Sequence, residues 1–427
     1  MAGPTQTSAI ELIVPPGEAQ VLYSPATLAH KIQNFELGQD GTLKSVVGPT
    51  LYEPKAVGTF SDKMHGIFHA GLLGGIADTL LVRNSTTLYR HAGWDRSWEV
   101  LYTGLSNEHR NLYPDQFLVL GNVIVYTNGV DRALVINHDG MVTPLGFDSV
   151  PPAPFSEGPT GTPTENRLLR TPNALGYSWN GNIGTVGDLL DGQTGALLSG
   201  GWYYYSQWED IHGNLSQQSA PSSLVHVATQ QANPYASWSS DDEAKKEATE
   251  LDDLPRQFLV RIPGDGPDHC VAVRLYRTPD VTNTDTIPRF LDRVGGKNQF
   301  IYPDNVPDSA LGSIMADLIT VPVFRVMCAH QGRLVVGNLP SDPGVVRRSQ
   351  VGLPGTFGAT EFIYPDSGGS EVTGLASHAG RLLAFTENSV YELVEFSVPV
   401  PLAQGIGCVA PRSIKALPNG NLIWLAR

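Results

Sequence analysis

Short apolar runs separated by turn residues dominate the chain. Four examples are Leu80–Val82, Val123–Tyr126, Leu334–Val336 and Leu382–Phe385. Runs of this length, rich in β-branched and aromatic residues and bounded by Gly, Asn or Asp, are typical of strands. Asn-Gly or Asp-Gly pairs stand at 40–41, 128–129, 139–140, 265–266 and 419–420, and such pairs accept the positive φ angles of a tight hairpin turn. The pattern predicts a mainly β protein built from antiparallel hairpins.

These hairpins recur with a long period. His330–Leu334 and His378–Leu382 share the phrase His-x-Gly-Arg-Leu and stand 48 residues apart. Pro418–Leu422 repeats the turn and the following strand 40 residues later, and Asp78–Val82 and Gly121–Val125 are offset by 43. A period of about 40–50 residues with several short strands per unit is typical of β-propeller blades, which stack in a ring. We therefore predict a β-propeller.

The repeat spacing breaks in the middle of the chain. Gly121 and Gly332 are 211 residues apart, and the break begins at Pro151–Pro154, before a Gly/Pro/Thr-rich stretch typical of a linker. We predict three parts: residues 1–150 as the first part of the propeller, an inserted domain at 151–320, and residues 321–427 as the second part.

The inserted segment has strand patterns of its own. Trp202–Trp208 is one, and in Val271–Arg277 apolar residues alternate with others as in a half-buried strand. We predict a β-sandwich of the fibronectin type. Ser240 with Glu243 three residues later predicts a capped helix over Asp241–Leu254.

The end of the chain predicts a sheet that needs completion. Asn421–Arg427 follows a turn and has the pattern of a strand, and an unpaired strand edge invites aggregation. We expect another segment to complete this sheet, either Ile10–Val14 or residues beyond Arg427.

Composition excludes several classes of protein. Only 16% of residues are charged, and Gly and Pro number 45 and 32 of 427, which argues against a coiled coil or helical bundle. An apolar content of 41% with 8% aromatic residues argues against disorder. No apolar run approaches the roughly 18 residues of a membrane span, and the N-terminus lacks a secretory pattern. We expect no membrane insertion.

Cysteine spacing and net charge argue against disulfides, a zinc site and a nucleic-acid-binding surface. Cys270, Cys328 and Cys408 are far apart and odd in number, so we predict buried thiols rather than disulfides or a zinc site. The formal net charge is −14. Gripping nucleic acid requires an excess of Lys and Arg to neutralise phosphates, so this balance disfavours a nucleic-acid-binding surface.

No motif defines an active site. Patterns of serine hydrolases, zinc proteases, P-loops and dinucleotide-binding folds are absent from the sequence. Ser377–His378 are neighbours in a predicted strand and so face opposite sides, while His65 and His69 lie in extended chain without a third ligand. We interpret Glu209–Asp210 as a turn, and the acidic residues of 241–253 as a solvated helix face or a surface that meets a partner. We assign no catalytic, cofactor-binding or metal-binding residue, and we expect no enzyme activity and no cofactor.

Four phrases in the last part of the chain carry a resemblance to a known family: Ser349–Pro354, Val372–Leu375, Arg381–Tyr391 and Gly407–Ser413. They resemble segments of the β-propeller tail proteins of tailed bacteriophages. The hairpin at 40–43 and the inserted stretch Trp202–Ser219 fit that family as well. The similarity is greatest to the tail nozzle, or tail tubular B, proteins of short-tailed phages.

The resemblance implies a structural virion protein that is assembled in the bacterial host cytoplasm. It implies a homohexameric ring below the portal and adaptor, in contact with tail fibre or tailspike proteins. Genomic DNA would pass through the lumen without specific binding, since a lumen of net negative sign repels phosphates.

Two other functions remain open. The first is a tail-tip or fibre-attachment protein that contacts the host surface. The second is a propeller hydrolase acting on host glycans, which would need paired carboxylates and an arginine cluster. The sequence offers Arg347–Arg348 but no recurring pair of acids.

Overall fold

The computed structural model of the chain describes residues 35–37, 43–45, 64–70, 79–92, 98–106, 115–156, 200–227, 258–264, 266–281, 285–304, 306–417 and 421–426. These residues are mainly β, as predicted, and they contain no α-helix. The chain forms two compact units, residues 1–59 with 95–98, and residues 60–94 with 99–427. The predicted helix at 241–254, the segment Ile10–Val14 and the Asp265-Gly266 and Asn419-Gly420 turns lie wholly or partly outside the described residues.

In the first unit, β1 (Phe35–Leu37) pairs with β2 (Leu43–Ser45) as an antiparallel hairpin. This pairing agrees with the hairpin expected from Asp40-Gly41, although the turn itself lies outside the described residues. Every other strand of the described residues belongs to the second unit.

Two four-stranded antiparallel sheets come first in the second unit, and each is a simple meander in chain order. The first sheet comprises β3 (Met64–Ala70), β4 (Thr79–Asn84), β5 (Thr87–Ala92) and β6 (Glu99–Thr103). The second sheet comprises β7 (Gln116–Leu120), β8 (Val123–Thr127), β9 (Leu134–Asn137) and β10 (Val142–Pro144).

A middle segment, residues 155–304, contributes three smaller antiparallel sheets with the strand orders β11-β15-β18, β12-β14 and β13-β16-β17. Its strands are β11 (Phe155–Ser156), β12 (Gly200–Trp202), β13 (Tyr204–Asp210), β14 (Val225–Val227), β15 (Phe258–Ile262), β16 (Cys270–Arg277), β17 (Arg289–Gly295) and β18 (Phe300–Asp304). Trp208 and Val273 share a buried core with Val260 and Ile262 of β15, so the two three-stranded sheets pack on each other.

The meander pattern returns after the middle segment. In the third sheet β20–β23 are a meander and β19 adds to the edge of β23, while the fourth sheet is a meander of β24–β27. The strands are β19 (Leu318–Ile319), β20 (Val326–His330), β21 (Arg333–Leu339), β22 (Asp342–Gln350), β23 (Leu353–Ile363), β24 (Val372–His378), β25 (Arg381–Thr386), β26 (Ser389–Val394) and β27 (Val398–Gln404). A last hairpin pairs β28 (Lys415–Ala416) with β29 (Leu422–Ile423).

The repeated phrase His-x-Gly-Arg-Leu forms the same turn twice. It closes the hairpin between the first and second strands of the third and fourth sheets. Gln331 and Gly332 have φ angles of 48° and 71°, and Ala379 and Gly380 have 49° and 77°. Two consecutive positive φ angles match the twist of a tight hairpin, which explains why glycine recurs at the second position.

The turn at Asn128-Gly129 differs from the predicted tight hairpin. The loop runs from the end of β8 at Thr127 to the start of β9 at Leu134. Asn128 Oδ1 accepts hydrogen bonds from the backbone N–H groups of Val130 and Asp131. The asparagine side chain therefore folds the loop by an Asx turn instead of placing the chain directly in the next strand.

Successive sheets bury both faces of their central strands. In β8, Ile124 belongs to the core shared with the first sheet, whereas its neighbour Val125 belongs to the core shared with the third sheet. Val336 and Val335 of β21 divide in the same way between the second and fourth sheets. Neighbouring side chains of a strand point to opposite faces, so continuous apolar runs are expected where both faces are covered.

The core of the middle segment encloses a buried ion pair. Arg277 and Asp304 are both fully buried, with 2.5 Å between Nη1 and Oδ2. Tyr204 donates its hydroxyl to the same Oδ2 at 2.7 Å, and Arg277 Nη2 reaches Asp308 Oδ1 at 2.8 Å. Burial, and then the Asp304 carboxylate, raise the pKa of Tyr204 well above its usual value. The network provides the hydrogen bonds that buried charges require.

Three serines cover the edge of β13 that does not pair with β16. Each serine donates its backbone N–H to the carbonyl of a β13 residue at 2.9–3.0 Å and accepts the N–H of the same residue on its hydroxyl at 2.9–3.0 Å. A sheet edge left unpaired would be open to aggregation, and this ladder closes it. The serines are Ser216, Ser219 and Ser222, and their partners are, in the same order, Trp208, Ser206 and Tyr204.

The middle segment contacts the second and third sheets through a tight junction. Asn214 Oδ1 accepts the backbone N–H of Gly355 at 2.7 Å, and the N–H of Leu215 donates to Thr356 Oγ1 at 2.8 Å. Gly355 lies against Gly146, where an added Cβ would come within 2.6 Å of the Gly146 nitrogen. Two glycines therefore permit a backbone approach that no side chain would allow.

Candidate functional site

The first strands of the four meander sheets lie around one cavity of about 840 Å³. β7 neighbours β3 and β20, and β20 neighbours β24. The 3-10 turn Pro411–Ser413 and β28 complete the lining. Each of these first strands stands at the edge of its own sheet. All four meander sheets contribute to this cavity, and we consider it the candidate functional site.

A buried ion pair supports the wall of this cavity. Asp115, just before β7, accepts a hydrogen bond from Arg83 Nη1 of the first sheet at 2.7 Å, and both side chains are buried. Its other oxygen accepts the hydroxyl of Tyr126 at 2.9 Å. Burial raises the pKa of Tyr126 far above its usual value, and Asp115 adds to that rise. The carboxylate is thus engaged on both oxygens and stabilises the contact between the first two sheets.

Long-range hydrogen bonds join the strands around the cavity. The side chain of Gln116 donates to the carbonyl of Arg325 at 3.0 Å and accepts the N–H of Met327 at 3.1 Å, so it pairs with the edge of β20. Arg412 Nη2 donates to the carbonyl of Asp115 at 3.2 Å. The cavity is therefore enclosed by segments that lie about 200–300 residues apart in sequence.

Charge within the cavity is mixed. Its charged lining residues are Asp115, Arg412 and Lys415, and the first of these is neutralised by Arg83. The remaining lining is apolar side chain, backbone and the Gln116 amide. These described lining residues include one carboxylate and no histidine.

Ser377 does not pair with its neighbour His378. Instead its Oγ lies 2.9 Å from Nδ1 of His330, at the end of β20. Burial, and then nearby Arg348, lower the pKa of His330. Among the residues that the structure describes, no carboxylate is hydrogen-bonded to the His330 ring, so this pair lacks the orienting group of a catalytic triad.

The remaining sequence candidates are His65, His69 and the acidic residues of 241–253. His69 lies in β3, so the extended conformation predicted around it is confirmed, whereas the side chain of His65 is outside the described residues. No cluster of three His, Cys, Asp or Glu side chains in the described residues could hold a metal ion. The acidic residues of 241–253 also lie outside the described part of the chain.

Glu209 and Asp210 end β13 and have separate roles. Asp210 accepts the backbone N–H groups of His212 and Asn214, both at 2.8 Å, so the turn follows the predicted pair, which itself lies in β13. Glu209 makes ion pairs with Arg274 at 2.5 Å and Arg293 at 2.8 Å. Burial raises the pKa of Glu209, but the hydrogen bonds from the two arginines outweigh it and lower the pKa overall.

The predicted buried thiols are confirmed. Cys270, Cys328 and Cys408 are all free and buried. Burial raises the pKa of Cys328 to about 12, which leaves a thiol of little nucleophilic character at neutral pH.

Among the described residues, no helix is long and apolar enough to cross a lipid bilayer.

Comparisons with known proteins return distant likenesses alone. No protein-family profile matches the chain, and no curated protein sequence matches it. Among solved structures it is similar to the extracellular domain of the BT4673 one component system of B. thetaiotaomicron, at 12% identity over 86% of this chain and 37% of that chain, with a TM-score of 0.18. It is also similar to the N-terminal domain of Nup159, at 10% identity over 77% of this chain and 72% of that chain, with a TM-score of 0.15. At these TM-scores neither likeness bears on the fold or function of this chain.

Proposed function

We propose that the four meander sheets are blades of a β-propeller interrupted by a fibronectin-type β-sandwich. The observation that carries this proposal is the cavity bordered by the first strands of all four sheets. In a propeller the innermost strand of each blade faces a central channel. The shared cores between successive sheets support the same arrangement.

We further propose that the chain is a structural protein of a phage tail, a subunit of a nozzle ring in the DNA ejection channel. The support comes from the sequence phrases that resemble tail nozzle proteins and from the four meander sheets around one cavity. The partners in this proposal are further copies of the chain, the portal or adaptor, tail fibre or tailspike proteins, and genomic DNA in transit. The location is the virion, after assembly in the host cytoplasm.

Electron microscopy and mass measurement of the purified chain test this function. We expect closed rings with a central hole and a mass of six copies. A three-copy particle would favour the tail-tip alternative, and a monomer at all concentrations would contradict the ring. Hydrolysis of host glycans by the pure protein would favour the enzyme alternative.

A further inference from the structure

A second cavity, a groove of about 560 Å³, lies beside the third sheet and outside the candidate site described above. Its walls are mostly apolar and come from the segment before β20, from the turn between β21 and β22, and from Val130. Volume and lining fall in the range of small-molecule pockets, about 300–1,000 Å³ with few polar groups. The wall residues used below are Ile319, Pro322, Val323 and Val345.

Arg347 contributes a guanidinium to this groove. Its Nη1 is buried and has no hydrogen-bond partner in the described residues. The guanidinium lies 5.0 Å from the ring centre of Phe362. The neighbouring Arg348 differs, because it forms an ion pair with Glu361. A buried N–H group without an acceptor is costly. Burial lowers the pKa of Arg347, while the charges of Tyr364 and Asp342 partly oppose that shift.

The acid that lines the groove, Asp342, is held elsewhere. It accepts a hydrogen bond from the Tyr364 hydroxyl, and within the described part of the chain it forms no ion pair with Arg347. Phe362 and Tyr364 remain 42% and 41% exposed beside Arg347. Exposed aromatic rings next to an arginine are the composition of energetically important binding surfaces.

We propose that this groove binds the carboxylate of an apolar ligand, with Arg347 as the anion-binding residue. The planar guanidinium of arginine matches a carboxylate through parallel hydrogen bonds. The apolar body of the ligand packs on Ile319, Pro322, Val323 and Val345. A free organic acid and the C-terminal residue of a polypeptide share this chemistry. The inference is independent of the ring proposed above.

Calorimetric titration of the full chain with N-acetyl-leucine tests the proposal, with N-acetyl-leucinamide as the uncharged control ligand. We expect saturable binding of the acid and binding of the amide at least about tenfold weaker, because a charge-assisted hydrogen bond is roughly twice as strong as a neutral one. No binding of the acid, or equal binding of both, would overturn the proposal. A tripeptide acid, N-acetyl-Pro-Val-Leu, distinguishes the two sources: tighter binding than N-acetyl-leucine indicates a polypeptide terminus, and equal or weaker binding indicates a free acid.

Variants of the two neighbouring arginines complete the experiment. Arg347→Gln should abolish the preference for acid over amide, whereas Arg348→Gln, on the other face of the same strand, should retain it. Unchanged acid binding in Arg347→Gln would overturn the assignment. If Arg347→Gln fails to fold, Arg347→Lys retains the charge without the planar fork and should bind the acid more weakly than the native chain does. Native-strength binding in Arg347→Lys would then count against a guanidinium site.

Discussion

Buried charged side chains in this protein are stabilised by neighbours that are distant in sequence. Asp304 accepts from Arg277 and Tyr204, and Asp115 accepts from Arg83 and Tyr126. Each carboxylate is thus flanked by one guanidinium and one tyrosine hydroxyl. Replacing the acid or the arginine alone would leave the other charge buried without a partner of opposite sign. Such a substitution is strongly destabilising.

Asp304→Asn should therefore destabilise the middle segment strongly. The substitution keeps the shape of the side chain but leaves the Arg277 guanidinium buried without its fully buried anion, at a cost of about 3–5 kcal/mol in the free energy of unfolding. Urea denaturation followed by tryptophan fluorescence measures this, since Trp202 and Trp208 lie in the same core. The control is Arg381→Gln, which breaks the exposed pair of Arg381 with Glu392 and should change stability little. Similar effects of the two substitutions would contradict the argument.

The ring of His269 should make stability depend on pH. Its Nε2 lies 2.8 Å from the Gly146 carbonyl, and because a carbonyl can only accept, Nε2 carries the proton. The ring stacks on Phe147 at 4.8 Å. Burial has the largest effect and lowers the pKa of His269, and the charge of Arg132 lowers it further. The hydrogen bond to Gly146 and the charges of Asp210 and Asp148 act in the opposite direction. The folded state therefore favours the neutral ring.

The sign of the pH effect follows from linkage. Between the lowered pKa in the folded state and the usual value of about 6.5, the unfolded chain binds more protons, so stability rises with pH. The contribution of His269 is complete above the usual pKa and is lost as the pH falls below it. We expect His269→Gln to flatten the loss of melting temperature between about pH 7.5 and 5.5. A native pH profile in His269→Gln would refute this role.

At the scale of elements, side chains replace a missing strand partner. The serine ladder satisfies the outer edge of β13 with three hydroxyls spaced three residues apart, opposite N–H groups spaced two residues apart. Each hydroxyl also donates to the carbonyl of the residue that follows it. Neither threonine nor alanine is an equivalent replacement for these serines. Alanine lacks the hydroxyl that makes the hydrogen bonds, and threonine adds a methyl group at a buried position.

Ser219→Ala should destabilise the chain by leaving the N–H of Ser206 buried without an acceptor. The expected cost is about 1–3 kcal/mol, measured as a shift of the urea midpoint. Hydrogen exchange at the Ser206 amide gives a local readout and should accelerate. The matched control is Ser223→Ala, because the side chain of Ser223 is exposed and outside the ladder. Equal midpoints for the two variants would show that the ladder contributes nothing.

At the scale of the whole molecule, the second and third sheets approach each other through two glycines, and the middle segment contacts them at the same place. A Cβ added to Gly355 would lie 2.6 Å from the Gly146 nitrogen, and one added to Gly146 would overlap the carbonyl oxygen of Gly355. Asn214 reaches across the same junction to Gly355. The junction is therefore sensitive to a single methyl group.

Gly355→Ala should loosen the junction without unfolding the cores on either side. We expect faster hydrogen exchange at residues 143–148 and 210–216 and faster proteolysis near the junction. The control is Gly295→Ala, where an added Cβ would meet open space. Unchanged exchange at the junction in Gly355→Ala would contradict the close packing of the two glycines.

Local patterns along the chain determine its strands and several of its turns. The apolar runs around Val123 and Leu334 predicted strands, and both lie in strands. The phrase His-x-Gly-Arg-Leu predicted a recurring hairpin, and the two copies form the same turn. These features depend on residues close in sequence, because side-chain alternation and turn conformations are set within a few residues.

The tertiary structure alone decided which distant residues meet. Nothing in the sequence near Gln116 indicates that its amide pairs with β20, or that Asn214 contacts Gly355. Ser377 stands beside His378 in the chain yet contacts His330. Such contacts depend on which sheets pack against each other. The apolar pattern of a strand does not specify this, because one apolar face can pack against several partners of similar volume. The sequence by itself therefore determined strands, turns and buried thiols, whereas the cavity, the junction and the buried Arg347 Nη1 beside the groove depend on packing between elements.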